Sequence, residues 1–340
     1  MISKAKSDAC GSSRLSVAPM MDWTDRHCRM FHRELSRNAL LYTEMVTAPA
    51  LVRGGALHLL EHDPAEAPVA LQLGGSDPQE LARAARLGAD AGYGEVNLNC
   101  GCPSDRVQSG SFGAVLMEKP DLVADCVAAM IDAVPGDLPV TVKCRIGVDD
   151  QSPHDSLPAF LERIAAAGVR RVQIHARKAW LQGLSPKQNR DVPPLDHDLV
   201  VAMKQAFPDL HVSINGGIET LEQAQGLLAR GLDGVMIGRA AYHAPFDILG
   251  DADARIFGRP AQTRTRADVA RAMYPYIDAH LGAGGRLNQI TRHMLGLFAG
   301  QPGARHWRRT LSDGSHRAGA GIEVLEEALR RVADATPVAV

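Results

Sequence analysis

Short apolar runs rich in β-branched residues recur along the chain from Leu15 to Ile237, separated by longer, more polar stretches. Runs of this length and composition are typical of buried β-strands. They predict eight strands, at Leu15–Met20, Leu40–Met45, Val69–Leu73, Glu95–Asn99, Val140–Arg145, Arg171–His175, His211–Asn215 and Gly234–Ile237.

Most of the segments between these runs have helical spacing of apolar residues and recognisable starts. Pro78 opens one such stripe, Pro120 opens another, and Thr220 precedes a third. A capping side chain, or a proline in the first turn, favours a helix that begins there. Eight alternations of strand and helix predict an α/β fold of the (β/α)8 TIM-barrel type rather than a doubly wound sheet. No GxGxxG opens a helix and no GxxxxGK[ST] occurs, so dinucleotide-binding and P-loop interpretations lose support.

The pattern changes after Gly250. Residues 251–267 are polar and irregular, which indicates a linker, and from residue 268 onward only helical periodicity is found. We therefore expect a barrel domain at 1–250, a linker at 251–267 and a small α-helical domain at 268–335. A chain of 340 residues is long enough for one large and one smaller domain.

Composition argues against a metal site and a membrane span, but it does not decide whether the protein binds nucleic acid. The formal net charge is −2, so no global field favours or excludes nucleic acid. The six cysteines lack the paired spacing of zinc sites, so we expect no metal. The start of the chain has no apolar signal region, and no run approaches the roughly 20 residues of a membrane span. We expect a reduced, cytoplasmic protein without disulfides and without membrane contact.

In barrels of this type, chemistry is carried by residues at the carboxyl ends of the strands. Cys102 follows the fourth strand and precedes a proline, which suggests a thiol held in a fixed direction. Lys143 lies within an apolar strand, where a charge needs a partner or a function. A structural ion pair is one explanation, and an inward lysine that holds an anionic cofactor ring is the other. Gln72 and His175 could add hydrogen bonds, although a single histidine is more often an ordinary packed residue.

The loops after the last two strands favour a phosphate site. Gly216 and Gly217 follow the seventh strand, and Gly238 and Arg239 follow the eighth. Glycines let backbone N–H groups approach a phosphate closely, and an arginine adds a charge-assisted bond. Glycines also serve simple turns, but the two pairs together, in these two loops, predict a phosphate.

Nine segments stand in order along the chain: SVAPMMDWTDRHCR, LLYTEM, VALQLGGSDP, EVNLNCGCPSDRVQSGSFGA, PVTVKCRIG, IHARKAWLQGLSPKQNR, SINGGI, GVMIGRAAY and ITRHMLGLFAGQPGARHWRR. Together they resemble the A-type tRNA-dihydrouridine synthases, from about residue 14 to about residue 333. The resemblance implies a flavin-bearing barrel followed by a helical domain that binds tRNA. One departure is Cys100, where that family has a small apolar residue such as valine.

The resemblance also implies roles for individual residues. It implies FMN contacts by Pro19, Met20, Met21, Gln72, Lys143, His175, Asn215, Gly216, Gly217, Gly238 and Arg239. It implies a proton donor at Cys102. It implies tRNA contacts by Asn99, Lys187, Arg190, Arg305 and Arg308. The implied substrate is the D-loop of tRNA at positions 20 and 20a, and the implied reductant is NADPH, with NADH as the alternative.

The chemistry that the resemblance implies is reduction of the C5–C6 bond of uracil. Reduced FMN gives a hydride to C6, and Cys102 gives a proton to C5. A thiol with an unperturbed pKa of roughly 8.5 is mostly protonated at neutral pH, as an acid must be. A nucleophilic cysteine would want the opposite environment, and no activating base for it stands out here.

The helical region carries a local excess of positive charge. Six arginines lie between Arg286 and Arg317 with one carboxylate, Asp313. A solvated helix face is the usual explanation for such a run, but the imbalance, with Trp307 and three histidines among the arginines, favours phosphate binding. Two other functions remain open: an FMN barrel that reduces a free pyrimidine, and an RNA-binding protein with an inactive flavin site. The sequence does not decide the oligomeric state, and we expect a monomer.

Overall fold

The computed structural model describes residues 11–104, 112–261 and 263–335, and its centre is a closed barrel of eight parallel strands. The strands are β1 Leu15–Val17, β2 Leu40–Thr47, β3 Val69–Gly74, β4 Glu95–Cys100, β5 Val140–Arg145, β6 Arg171–His175, β7 His211–Asn215 and β8 Gly234–Ile237. Each strand pairs with the next, and β8 closes the ring on β1, with Val235 opposite Leu15. The predicted (β/α)8 barrel is confirmed.

The largest difference from the predicted strand bounds is in β1, which ends at Val17 rather than at Met20. The Ala18 N–H still donates to the carbonyl of Ile237, at 2.9 Å. Pro19 has no N–H with which to continue the ladder, so the chain leaves the sheet there. As a consequence, Pro19 and Met20 lie on the barrel rim rather than within a strand.

Helices follow the strands and cover the barrel. In this part of the chain they are α1 Arg26–Leu35, α2 Ala48–Val52, α3 Pro78–Asp90, α4 Pro120–Ala133, α5 Pro153–Ala166, α6 Gln188–Asp191, α7 His197–Ala206 and α8 Leu221–Ala229. Short 3-10 turns lie at Leu57–Leu60, Pro64–Glu66 and Gly113–Glu118. The predicted helix starts are confirmed, since Pro78 and Pro120 open α3 and α4 and the Thr220 hydroxyl caps α8.

The two faces of each strand have different surroundings. Leu71 and Val96 point outward against α3, where a side chain at Gly88 would collide with Leu71 at 2.6 Å. Fully burying one such leucine contributes about 1.5–3 kcal/mol. The alternate residues point into the barrel, and there the Asn97 amide reaches side chains of β5 and β6. The main apolar core therefore lies between sheet and helices, whereas the barrel interior combines these polar side chains with a small apolar cluster of Ala18, Leu40, Tyr42, Ala70 and Met236.

The remainder of the described chain after β8 is helical or irregular, without a strand. Its helices are α9 Arg239–His243, α10 Pro245–Leu249, α11 Ala252–Arg255, α12 Arg266–Ala272, α13 Tyr274–Gly282, α14 Leu287–Met294, α15 Ala304–Gly314 and α16 Glu323–Asp334. The short helix α11 lies in the segment predicted as an irregular linker, and Ile256 after it is buried. Residues 1–10 and 105–111 of the predicted barrel domain and residue 262 of the predicted linker lie outside the described residues. No described helix is long and apolar enough to cross a membrane.

Asp25 ties the loop after β1 to the C-terminal helices. One carboxylate oxygen caps α1 by accepting the N–H groups of His27 and Cys28. The other accepts a bond from Arg292 at 2.5 Å and lies 3.1 Å from Nε2 of His293, both on α14. Burial alone would raise the pKa of Asp25, but these hydrogen bonds and charges bring it well below its ordinary value. The carboxylate therefore stays ionised and joins the two parts of the molecule.

Candidate active site

Cys102 stands just beyond the end of β4 and is only partly buried. The side-chain oxygen of Asn99 accepts the N–H groups of Gly101 and Cys102, each at 3.0 Å. From the other side, Nε of Arg145 donates to the carbonyl of Gly101 at 3.1 Å. The Cys102 sulfur lies 3.4 Å from the hydroxyl of Ser104. Two strands thus hold the loop, and the thiol faces the barrel mouth in one direction.

Cations surround this thiol. Cys102 is close enough to Lys143, Arg145 and Arg190 to interact electrostatically with each of them. Lys143 donates to the side-chain oxygen of Asn215 at 3.2 Å, and the Asn215 amide nitrogen donates to a backbone carbonyl. Burial, followed by repulsion from Arg145, lowers the pKa of Lys143 to about 8. Its partner is a neutral amide, which leaves the positive charge available to an anionic ligand.

His175 is held neutral at this mouth. Burial, together with the positive charges of Arg145 and Lys143, lowers the pKa of His175 well below its ordinary value. Gly216 packs against its ring: a Cβ there would lie 2.6 Å from Cδ2 of His175. The φ angle of Gly216 is +110°, a backbone conformation that side chains rarely adopt. The absence of a side chain at Gly216 therefore leaves space for the His175 ring and permits the backbone turn of the loop.

The loops after β7 and β8 fit a phosphate. Gly217 has a φ angle of +68°, the left-handed region that favours glycine, and a Cβ there would lie 2.3 Å from the terminal methyl group of Leu195, which would have to move. Arg239 opens α9 and forms an ion pair with Asp191 at 2.8 Å, with both side chains half exposed. Nearby, the Nε atom of Arg177 is buried and has no hydrogen-bond partner. An unsatisfied guanidinium nitrogen beside a second arginine matches the donor set that a phosphate group needs.

The loop after β1 supplies an apolar wall. Met20 is partly buried against the core, whereas Met21 is 54% exposed. The backbone of Met20 is fixed twice by the hydroxyl of Thr24, which it both donates to and accepts from. Trp23 stacks on Tyr242 of α9, with ring centroids 4.4 Å apart. An apolar side chain held above the mouth suits a flat aromatic ring.

The sequence-predicted tRNA contacts fall into two groups. Asn99, Lys187 and Arg190 lie at the barrel mouth or on its rim, the last two exposed at α6. Arg305 and Arg308 lie on α15, exposed, and neither has an ion-pair partner among the residues that the structure describes.

Two residues used to argue for phosphate binding by the helical region have structural roles instead. Trp307 is fully buried, and its indole N–H donates to the carbonyl of Met294 at 2.8 Å. It is a core residue and offers no face to a base, because its ring is packed against Phe298. Arg292 is committed to Asp25. The positive charge that this region offers to a phosphate therefore comes from the remaining arginines.

Comparison with known families agrees with this arrangement. The family described as "Dihydrouridine synthase (Dus)" matches residues 16–333.

The chain belongs to the dihydrouridine synthase family.

Relatives within the family are similar over nearly their whole length. A protein of Shewanella oneidensis named tRNA-dihydrouridine(20/20a) synthase is 57% identical, with 93% of this chain and 93% of that protein covered. Proteins of the same name from Escherichia coli K12 and Vibrio parahaemolyticus are 56% and 53% identical, covering 97% and 94% of this chain and 94% and 97% of their own length. The predicted family resemblance is confirmed.

A solved structure of the old yellow enzyme homologue from Zymomonas mobilis is more distant. It has a TM-score of 0.51 at 12% identity and covers 75% of this chain and 92% of its own. At that identity the likeness concerns the fold alone, and it agrees with the barrel of the dihydrouridine synthase described above.

Residues without a predicted role also help to build the site of this family member. Arg145 is the last residue of β5 and Arg177 follows β6, so their place at strand ends was a usable signal. Their hydrogen-bond partners, the backbone carbonyls of Gly101 and Pro193, could not be predicted from any sequence pattern. Asn97 was missed altogether, because nothing in a sequence says which residues of a buried strand point into the barrel and meet another polar group.

Proposed function

We propose that this chain is a tRNA-dihydrouridine synthase that reduces D-loop uridines at positions 20 and 20a with FMN as cofactor and NADPH as reductant. The main support is a single observation: a directed thiol, Cys102, in a mouth lined by cations and glycines. The names of the relatives, tRNA-dihydrouridine(20/20a) synthase, supply the substrate. NADH stays the alternative reductant.

The residues at the mouth fit the phosphate and ring of FMN. Gly216, Gly217 and Gly238 offer backbone N–H groups, and Arg239 exchanges Asp191 for the phosphate. The polar edge of the ring is bound by Asn215, Lys143 and Gln72. The positive charge of Lys143 compensates the negative charge of the ring in its reduced form. His175, being neutral, offers a hydrogen bond without adding charge. Pro19, Met20 and Met21 cover the ring.

When bound and reduced, FMN supplies the hydride that goes to C6 of uracil. The chain supplies the rest. Cys102 donates its proton to C5 of the base. Asn99 holds the cysteine loop in the position from which the thiol can reach that carbon atom. The base must leave its stack to reach this depth, and a tRNA loop offers such a base. Specificity then depends on contacts with the RNA backbone.

We assign the contacts with RNA to two surfaces. Lys187 and Arg190 on the barrel rim, and Arg305 and Arg308 on α15, bind phosphates on either side of the mouth. In this proposal residues 1–250 form the FMN-binding catalytic domain, 251–267 the linker, and 268–335 the tRNA-binding domain.

The test is to purify the protein and measure three properties. We expect a yellow protein with non-covalent FMN, flavin reduction by NADPH, and dihydrouridine in tRNA taken from cells that lack this gene. Sequencing of the modified tRNA should find the new dihydrouridines at positions 20 and 20a. Reduction of free uracil but not of tRNA would favour the small-substrate enzyme, and a colourless protein that binds tRNA would favour the RNA-binding protein.

A further inference from the structure

A buried acidic group lies at the bottom of the barrel. Glu95 on β4 is ion-paired with Arg171. It also accepts hydrogen bonds from the hydroxyls of Tyr42 and Thr141, each at 2.5 Å. The Thr141 oxygen in turn accepts a bond from the Asn97 amide nitrogen, at 2.8 Å. All five side chains are buried. The proton of the Thr141 hydroxyl is therefore committed to Glu95, and its oxygen can only accept from Asn97.

The same chain of hydrogen bonds continues upward to the cysteine loop. Gln72 donates through Nε2 to the Asn97 oxygen, at 2.8 Å. Asn99 donates through Nδ2 to the Gln72 oxygen, also at 2.8 Å. The Asn99 oxygen accepts the backbone N–H groups of Gly101 and Cys102. Every bond in the series runs in one sense, from the loop down to the carboxylate.

The two ends of this series permit only one orientation of the amides between them. A carboxylate in an ion pair only accepts, and a backbone N–H only donates. An amide can present either its oxygen or its nitrogen, so the three amides take their orientation from the ends. Gln173 also accepts from Asn97, but its own amide can rotate together with that of Asn97. Thr141 is the one neighbour of Asn97 whose hydrogen-bonding sense is set by a carboxylate.

We propose that Thr141 and Asn97 are positioning residues for Cys102: they fix the direction in which the Gln72 and Asn99 amides face, and through them the cysteine loop. The inference rests on the proposed function, in which Cys102 donates the proton to C5. If the series is interrupted at Thr141, the carboxylate end no longer opposes a joint rotation of the three amides, and only the loop N–H groups still hold them in this sense. A rotated Asn99 turns its NH2 group toward two N–H groups, which repels the loop. Neither residue touches the reacting atoms.

Three variants test this series of hydrogen bonds, which we call the relay, from Glu95 to the cysteine loop. The first measurement is made on the protein free of substrate. Thr141→Val keeps the shape and removes the hydroxyl, Thr141→Ser keeps the hydroxyl, and Thr291→Val is the matched control. Thr291 is also buried, but within the described part of the chain its hydroxyl bonds only to the carbonyl of Leu287 in its own helix. Hydrogen exchange of the segment Asn99–Ser104 is followed by mass spectrometry. We expect about 10- to 100-fold faster exchange in Thr141→Val, and wild-type exchange in the other two.

The same variants are then compared in the two half-reactions. We expect Thr141→Val to slow single-turnover dihydrouridine formation by about 10- to 100-fold, because a small misplacement of a reacting group has an effect of that size. The affinity for tRNA should stay at the wild-type value, and Thr141→Ser should restore the rate. Flavin reduction by NADPH should slow by a smaller factor than dihydrouridine formation, because Gln72 belongs to the same hydrogen-bond series and is assigned to the ring edge. If both half-reactions slow equally, or if Thr141→Ser fails to restore the rate, the residue is merely structural.

The two proposals fail in different ways. If the wild-type protein makes no dihydrouridine, the proposed function is wrong, and the exchange experiment still decides the relay. If exchange of the loop in Thr141→Val equals that of wild type, the relay is wrong whatever the substrate.

Discussion

At the scale of single residues, the neighbouring thiols Cys100 and Cys102 have opposite environments. Cys100 is the last residue of β4 and points outward under the helices, where burial raises the pKa of its thiol well above the ordinary value. Cys102 lies two residues further on, where the chain has left the sheet, and is partly exposed. Strand alternation alone would place residues 100 and 102 on the same face. The departure of the chain from the sheet after Cys100 therefore decides which thiol can meet a substrate.

The first prediction follows from this contrast. Cys102→Ala should lower the rate of uridine reduction by roughly 10²–10⁴-fold, the usual contribution of a general acid. Flavin reduction by NADPH should be unchanged, because that step needs no proton at C5. Stopped-flow measurement of each half-reaction checks this, with Cys100→Val as the control that should leave both intact. Normal dihydrouridine formation by Cys102→Ala would remove this residue from the mechanism.

Lys143 gives a prediction about pH. Its pKa in the free protein is lowered to about 8, and an anionic ligand favours the protonated form. Affinity for FMN should therefore be highest below pH 8 and should weaken as the pH rises through 8 and the lysine loses its charge. Titration of apoprotein with FMN between about pH 7 and pH 9.5 measures this. In Lys143→Met the weakening should disappear, and a wild-type pH profile in that variant would contradict the assignment.

At the scale of elements, the proposed phosphate site is a property of two loops rather than of any one side chain. The loop after β7 favours glycine at 216 and 217, because both φ angles are positive and a Cβ at 216 would collide with the His175 ring. The loop after β8 leads directly into α9, whose first residue is Arg239. The closed ring of strands brings these two loops side by side.

We predict that Arg239→Ala weakens FMN binding by about 10- to 100-fold, the effect expected for loss of one charge-assisted bond. Flavin absorbance after dialysis measures the occupancy. Asp191→Asn should not weaken retention, since it only frees Arg239 from its ion pair. Arg230→Ala, which removes a half-exposed arginine paired with Asp198, is the matched control. Equal occupancy in Arg239→Ala and Arg230→Ala would argue against the phosphate site.

At the scale of the whole molecule, the C-terminal helices are attached to the barrel near its mouth. The attachment includes the bonds of Asp25 to Arg292 and His293. Both involve the loop after β1, which also carries Met20 and Met21. The proposed tRNA-binding helices and the apolar residues proposed to cover the flavin are thus connected through one short segment.

We predict that Arg305→Ala weakens tRNA binding and reduces the slope of its salt dependence by about one unit or less, because one phosphate contact is lost. Flavin reduction without tRNA should remain at the wild-type rate. The measurements are tRNA affinity across a salt series and the rate of flavin reduction. Arg86→Ala, on α3 and paired with Asp90, is the control that should change neither. Unchanged affinity and slope in Arg305→Ala would favour the small-substrate enzyme.

The sequence by itself determined the strand order of this barrel and the loops that carry its chemistry. Most strands were predicted to within two residues, because apolar runs and helix starts such as Pro120 are local signals. Cys102, Gly216 and Arg239 were predicted as site residues because a parallel barrel gathers the carboxyl ends of its strands at one mouth. β1 was predicted too long because the apolar run continues past Pro19.

Only the tertiary structure decided which polar groups meet. Asn97, Thr141 and Glu95 come from two strands, and the bonds between them depend on strand register, which no local pattern encodes. In the same way Trp307 resembles a base-stacking residue in sequence but lies in the core, since burial depends on what packs against a helix face. Local free energies determine elements, whereas contacts distant in sequence determine the partners of each side chain.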